Sequence, residues 1–321
     1  KFFFSDNGST AVEAALKMAF QYWFNRDEKR TKVLAFEGAY HGDTFGSMSV
    51  SARGLFTNPF KPLLFDILTI PVPTENNIRE VLALVDQLVQ EHAIASFIYE
   101  PLVQGANGMI IYDAAHLELI LQKLKSANVL LIADEVMTGF GRTGKMFASE
   151  YMNTEPDIMC FSKGLTAGAM PMGLTSCAQS IYDAFYDDNK EKTFFHGHSF
   201  TGNPLGCAVA LASLELFDTE KTLDNVAMIT TWNKKAAASL QHNKAFENIA
   251  SQGTVLRFDI KTNESTSYLN AVKLRCMEFF KAKNILIRPL GNVLYFLPPY
   301  CTTEAELDYL LQTALDFGDT L

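Results

Sequence analysis

Apolar and polar positions change period repeatedly along the chain, and each change marks an element. Phe2–Ser5 is a short apolar run closed by small polar residues, the pattern of a buried strand. From Ser9 to Arg26, Ala11, Ala14, Ala15, Met18 and Tyr22 recur at helical spacing. Lys32–Phe36 is strand-like, Asn77–His92 an amphipathic helix, Ala95–Tyr99 a strand, Ala114–Ser126 a helix and Val129–Ala133 a strand. Asp157–Phe161 and Gly173–Cys177 are further short apolar strands. Strands that alternate with helices predict βαβ units and a mainly parallel sheet. Their near-continuous apolar character is that of strands covered on both faces.

Beyond Asn203-Pro204 a long helical stretch runs to about Leu240. The pattern then shifts. Strands are expected near Val255–Ile260, Ile285–Arg288 and Val293–Leu297, around one helix over Ser267–Lys283, with a last helix over Thr303–Phe317. The expected division is a large α/β domain over residues 1–219 and a smaller α+β domain over residues 220–321. The opening Lys1-Phe2-Phe3-Phe4-Ser5 has neither the long apolar segment nor the small-residue cleavage site of a signal peptide. It reads as an interior strand, so the expectation is that the chain opens inside a fold and that an N-terminal segment precedes it.

Composition narrows the classes. With 321 residues, 48% of them hydrophobic and 20% charged, the chain can bury a large core and is not disordered. Its 27 basic and 36 acidic residues leave a formal charge of −9, which disfavours non-specific binding to nucleic acid or anionic membranes. No apolar run approaches the roughly 20 residues needed to span a bilayer. The five cysteines form no CxxC pair and read as reduced thiols of a cytoplasmic protein.

Parallel α/β sheets gather their ligands at the carboxyl ends of the strands, and three such ends carry polar residues. Ser5-Asp6-Asn7-Gly8-Ser9-Thr10 leads into a helix. It serves either as an ordinary N-cap or as an anion cradle of free N–H groups and hydroxyls. Asp134-Glu135 ends a buried strand, where a carboxylate is costly without a partner. Asp134 is a candidate to hold a protonated ring nitrogen, a metal ion or the following loop. Lys163 emerges from the apolar run Asp157–Phe161. It either snorkels to solvent or sits desolvated, with its pKa lowered and its amine free as a nucleophile. An anion cradle, a carboxylate for a pyridinium and a nucleophilic lysine are together what pyridoxal 5′-phosphate asks of a protein. No metal site is expected.

Asp134-Glu135-Val136-Met137-Thr138-Gly139-Phe140-Gly141-Arg142-Thr143-Gly144, followed at 29 residues from Asp134 by Lys163, resembles the class III aminotransferases. So does His196-Gly197-His198-Ser199-Phe200-Thr201-Gly202-Asn203-Pro204. The resemblance covers essentially the whole chain. It implies a fold type I pyridoxal-phosphate transferase with a mainly parallel large domain and a smaller α+β domain. Four stretches resemble, within that class, the branch that aminates 8-amino-7-oxononanoate to 7,8-diaminononanoate in biotin synthesis, usually with S-adenosylmethionine as donor. They are Ser5–Glu13, Tyr40–Gly46, Glu100–Ala106 and Arg288–Asn292, the last with Tyr295 and Pro298-Pro299-Tyr300. Ornithine and acetylornithine aminotransferases usually carry Gln where this chain has Met137. Three rivals remain: another class III enzyme acting on an ω-amino acid, a polyamine or an amine–pyruvate pair; an aminomutase of the glutamate-1-semialdehyde type; and a non-catalytic binding relative, against which the intact Asp134 and Lys163 argue. The Tyr40–Thr44 stretch speaks against the second.

The resemblance implies residue roles. Gly8 and Ser9 would bind the cofactor phosphate. Tyr40 would stack on the ring, Val136 would pack on its other face and Asp134 would pair with its nitrogen. Glu100 belongs with these cofactor contacts. Lys163 would carry the cofactor and shuttle the proton. Ser199, with the backbone at His198, would reach the phosphate held by the second subunit of a homodimer. Arg288 would bind the substrate carboxylate through two parallel hydrogen bonds. The apolar Ile285–Ile287 and Pro289 around it predict restricted exposure. Gly197 and Tyr295 would line the substrate. Arg142 would either lie near the substrate or brace the glycine-rich loop. Two features depart from the family: His198 stands where many relatives have Pro or Ser, and the family's N-terminal segment, which supplies aromatic pocket residues, is not in this chain.

Overall fold

The computed structural model describes all residues except Leu55, Phe56, Glu264, Ser265, Ser267 and Tyr268. Two compact units result. One comprises Lys1–Asn107, Tyr112–Phe140 and Phe147–Glu215; the other comprises Gly108–Ile111, Gly141–Met146 and Leu216–Leu321. Among the described residues no helix is long and apolar enough to cross a membrane.

The first unit is built on seven strands: β1 (Phe2–Ser5), β2 (Lys32–Phe36), β3 (Leu68–Ile70), β4 (Ile94–Tyr99), β5 (Leu130–Asp134), β6 (Ile158–Phe161) and β7 (Gly173–Cys177). Their order across the sheet is β1-β7-β6-β5-β4-β2-β3. The pairs β2–β3, β2–β4, β4–β5 and β5–β6 are parallel, and β7 runs antiparallel to both its neighbours. Every residue of β4 is buried, as a parallel strand covered on both faces must be. Helix α1 (Gly8–Asn25) brings Ala11, Val12, Ala15 and Ala19 into the core beside Val33, Ala95, Ile132 and Ile158. These small side chains let the helix backbone lie close to the sheet, and the Trp23 indole N–H donates to the Ala95 carbonyl at 2.8 Å. Parallel pairing places the ends Phe36, Tyr99, Asp134 and Phe161 along one edge.

Short helix α2 (Phe45–Ser49), α3 (Ile78–Glu91), α4 (Ala114–Ser126), short α5 (Gln179–Asp183) and α6 (Pro204–Thr219) follow in chain order. The expected long helical stretch is in fact two helices. The chain turns at Lys221, φ +47°, between α6 and α7 (Thr222–Leu240). Strand β3 was not anticipated, because three residues are too short to show a period.

The second unit holds an antiparallel sheet of β8 (Phe246–Gln252), β9 (Val255–Ile260) and β10 (Val293–Phe296). Helix α7, α8 (Val272–Ala282) and α9 (Glu304–Asp319) share a core with it, through Trp232, Phe258, Phe280, Phe296 and Phe317. Two expectations need correction. Residues 285–288 form no strand: the Ile285 N–H closes the end of α8 on the Phe280 carbonyl at 2.9 Å, and Leu286 is 96% exposed. Strand β8, with the mixed sequence Phe-Glu-Asn-Ile-Ala-Ser-Gln, pairs with β9 through an irregularity between Glu247 and Ala250 that hides its alternation. The helix expected over Ser267–Lys283 is observed from Val272; Ser267 and Tyr268 lie outside the described residues.

Candidate active site

The site begins where β1 hands over to α1. The Asn7 side chain accepts the Thr10 N–H at 3.0 Å and the Thr10 hydroxyl accepts the Asn7 N–H at 3.0 Å, a reciprocal cap. Among the described residues the N–H groups of Gly8 and Ser9 meet no protein acceptor, and they sit at the positive end of the helix dipole. Asn7 is therefore the cap, and its side chain leaves the Gly8 and Ser9 N–H groups unengaged. Gly8 is tightly placed, since a Cβ there would come within 2.8 Å of the Val136 Cγ1 and 3.6 Å of the Ser162 Cβ. The start of α1 therefore lies against the residues that follow β5 and β6.

Asp134, at the end of β5, is buried. Its Oδ2 is 2.7 Å from the Nδ1 of buried His41, and its Oδ1 accepts the Val136 N–H at 3.1 Å. A carboxylate oxygen has two acceptor sites, so Asp134 keeps capacity for a further donor. His41 lies in the segment after β2, where its backbone N–H donates to Ser51 Oγ at 2.9 Å, and its buried Nε2 has no partner among the described residues. The neighbouring acid has a different fate. Glu135 is fully buried and accepts from Thr138 Oγ1 (2.6 Å), Ala148 N–H (3.1 Å), Ser149 N–H (2.7 Å) and Ser149 Oγ (2.7 Å). Burial raises its pKa, and those donors oppose the rise. It anchors the loop after β5 and leaves Asp134 as the acid with spare valence.

Glu100 follows β4. One of its oxygens accepts the Tyr40 N–H at 3.1 Å and the other the Gly105 N–H at 2.9 Å. Burial pushes its pKa up to about 7, against the pull of nearby His41 and of the two N–H donors. Tyr40 leaves much of its ring exposed, with its hydroxyl donating to Asp43 Oδ2 at 2.9 Å. Burial of the remainder and this bond raise the phenol to about 12, so it stays neutral.

Lys163 follows Ser162, whose hydroxyl donates to the Met172 carbonyl at 2.7 Å. The lysine adopts φ +38° and opens a 3-10 turn through Thr166. Of its two readings the single chain shows the solvent-facing one: Lys163 is exposed. His198 lies 3.7 Å from Asp6 Oδ2 through its Nδ1, and its Nε2 is 3.1 Å from that of His196. Ser199 is exposed, and a Cβ at Gly197 would meet only open space.

Gly8, Ser9, Tyr40, Glu100, Asp134, Val136, Lys163, Gly197, His198 and Ser199 all belong to the first unit; Arg142, Arg288 and Tyr295 belong to the second. Arg142 donates to Thr254 Oγ1 at 2.9 Å and to the Pro298 carbonyl at 3.3 Å, and lies 4.9 Å over the Tyr300 ring. This is the bracing alternative of its two readings. Arg288 is exposed, contrary to the restricted exposure expected of it, and its guanidinium has no protein partner among the described residues. Tyr295 is half-buried on β10, opposite Arg257. Sequence reasoning missed His41 as the partner of Asp134. The only signal available was a histidine beside Tyr40 in a segment after a buried strand.

A mainly parallel α/β sheet whose strand ends gather a helix N-terminus, a buried carboxylate and a lysine defines a fold type I pyridoxal-phosphate transferase. Within that class the chain belongs to the aminotransferase class-III family, whose model matches residues 1–316. It is 45% identical to the adenosylmethionine-8-amino-7-oxononanoate aminotransferase of Synechococcus elongatus, over 99% of this chain and 76% of that protein. It is 41% identical to the enzyme of the same name from Geobacter sulfurreducens, over 97% and 73%. The crystal structure of that aminotransferase from Methanocaldococcus jannaschii superposes with a TM-score of 0.93 at 35% identity, covering 100% of this chain and 75% of that one. An amine transaminase from an uncultivated Pseudomonas species, in its PLP-bound form, superposes with a TM-score of 0.91 at 29% identity, covering 99% and 76%.

Proposed function

We propose that this protein is a pyridoxal-phosphate-dependent transaminase that converts 8-amino-7-oxononanoate to 7,8-diaminononanoate, with S-adenosylmethionine as amino donor, in biotin synthesis. The observation that carries the chemistry is the gathering of free Gly8 and Ser9 N–H groups, Asp134 and Lys163 at one edge of one sheet. Likeness over nearly the whole chain to enzymes named for this reaction supports the substrate pair.

The residues fit the cofactor. Gly8 and Ser9 offer an anion two N–H groups and a hydroxyl, Asp134 has acceptor capacity for a ring N–H, and Tyr40 is partly exposed. When bound, pyridoxal phosphate supplies the carbonyl that takes up the amine and the electron-poor ring that steadies charge at the substrate Cα. Gly8 and Ser9 hold the phosphate. Asp134, oriented by His41, keeps the ring nitrogen protonated. Tyr40 and Val136 flank the ring. Lys163 Nζ would hold the cofactor at rest; once the substrate amine had displaced it, the freed amine would move the proton at the substrate Cα. Arg288, whose guanidinium has no protein partner among the described residues, would receive the substrate carboxylate, and Tyr295 and Gly197 would border the substrate. Ser199 and the His198 backbone serve the phosphate of a second copy, which makes the enzyme a homodimer.

The test is a single-turnover spectrum of the PLP-loaded protein, mixed separately with S-adenosylmethionine and with lysine. Bleaching of the visible band by S-adenosylmethionine, and its return on adding 8-amino-7-oxononanoate, is the expected result. Bleaching by lysine alone changes the donor. Bleaching only by a simple ω-amine keeps the class III chemistry and removes the proposed substrate.

A further inference from the structure

We infer that Glu13 is a positioning residue that locks the Tyr40 segment onto the phosphate-binding start of α1; this rests on the placement of Tyr40 against the cofactor ring proposed above. Ser9 and Glu13 stand four residues apart, on one face of the helix. Ser9 Oγ accepts the Asp43 N–H at 3.3 Å. A single oxygen of Glu13, Oε1, accepts from Thr44 Oγ1 at 2.5 Å, Gly46 N–H at 2.6 Å and Ser47 N–H at 3.0 Å. Those donors open α2, whose own N-cap residue Thr44 makes no side-chain capping bond. A carboxylate from another helix satisfies them instead.

The fit leaves no slack. A Cβ on Gly46 would come within 2.1 Å of Glu13 Oε2, and one on Gly42, φ +127°, within 2.2 Å of Ser9 Oγ. Both glycines mark places where an α1 side chain presses on the backbone of the segment. The segment also closes on itself, with Ala52 N–H donating to the Ala39 carbonyl at 2.7 Å. Tyr40 lies inside this closed segment and takes its position from it. Because α1 also presents the free N–H groups of Gly8 and Ser9, the Glu13 contact sets the Tyr40 ring relative to the phosphate site.

The experiment is a double-mutant cycle on the full-length protein: wild type, E13A, Y40A and E13A/Y40A. Each apoprotein is titrated with pyridoxal phosphate. The readouts are the dissociation constant and the visible circular dichroism per bound cofactor, which reports ring orientation. E13A and Y40A should each weaken binding roughly tenfold and reduce the dichroism, with the double variant no worse than Y40A alone. If Y40A changes neither readout, the placement of Tyr40 fails. If Y40A has its effect but E13A has none, or the two effects multiply, the role of Glu13 alone is overturned. G46A pushes the carboxylate off its donors from the other side and should reproduce E13A; it takes the place of E13A in the cycle should that variant not fold.

Discussion

Asp134 and Glu135 are adjacent acids with opposite fates, decided by how many donors each meets. Glu135 is saturated by four, whereas Asp134 meets the Val136 N–H and His41 and retains acceptor capacity. His41→Leu removes the donor on Asp134 Oδ2. A hydrogen bond to a charged group contributes about 1.5–3 kcal/mol, so turnover should fall roughly ten- to a hundredfold. His41→Asn, which keeps a donor, should recover most of it; steady-state kcat for the two variants is the measurement. Glu100 carries a pH dependence. Its pKa is raised by burial to about 7. The fold therefore holds a proton that the unfolded chain releases near the usual carboxylate value. The stability contributed by the neutral acid is complete below that value and is lost as pH rises through about 7. The loss is on the order of 3 kcal/mol. Urea unfolding of the apoprotein at pH 5 and pH 8 should show the decline, and Glu100→Gln should flatten it.

At the scale of elements, α1 carries both the cap and the candidate phosphate site, so its first turn is a sensitive point. Asn7→Ala removes the acceptor for the Thr10 N–H and should cost about 1 kcal/mol. In a unit of this size that lowers the apoprotein Tm by roughly 2–4 °C, measured by scanning calorimetry. Elements with long, strong periods were legible: α1, α3, α4, α9 and the buried strands of the first unit lie within a residue or two of their expected bounds. Those that failed did so for local reasons. The chain breaks at Lys221 through a left-handed backbone that no periodicity reveals. Ile285–Arg288 looks like a strand, but its first N–H closes α8, and no strand pairs with it among the described residues. Irregular pairing obscures β8.

At the scale of the whole molecule, the first unit leaves several large apolar side chains in solvent along residues 195–211, the stretch that includes Ser199. Phe195 is 74% exposed, Phe200 73%, Leu205 70% and Leu211 68%. Large apolar side chains that join into one patch mark interfaces, and the proposed homodimer would cover these. Light scattering should find a dimer. L205D/L211D should shift it to monomer and weaken retention of pyridoxal phosphate by more than roughly tenfold, because Ser199 would no longer reach its neighbour's phosphate. A dimer that survives both substitutions places the interface elsewhere.

By itself the sequence determined the alternation of strand and helix, and hence the parallel sheet. It also marked the strand ends where the candidate site residues Gly8, Asp134 and Lys163 stand, because apolar period and polar punctuation are local properties of the chain. Only the tertiary structure decided which acid is saturated, that His41 faces Asp134, that Glu13 clamps the Tyr40 segment, that Arg142 is engaged by Thr254 and Pro298, and that Lys163 and Arg288 stand exposed in the single chain. Each of these depends on contacts between residues distant in sequence, or on solvent access, and neither is written in the spacing of residue types along one segment.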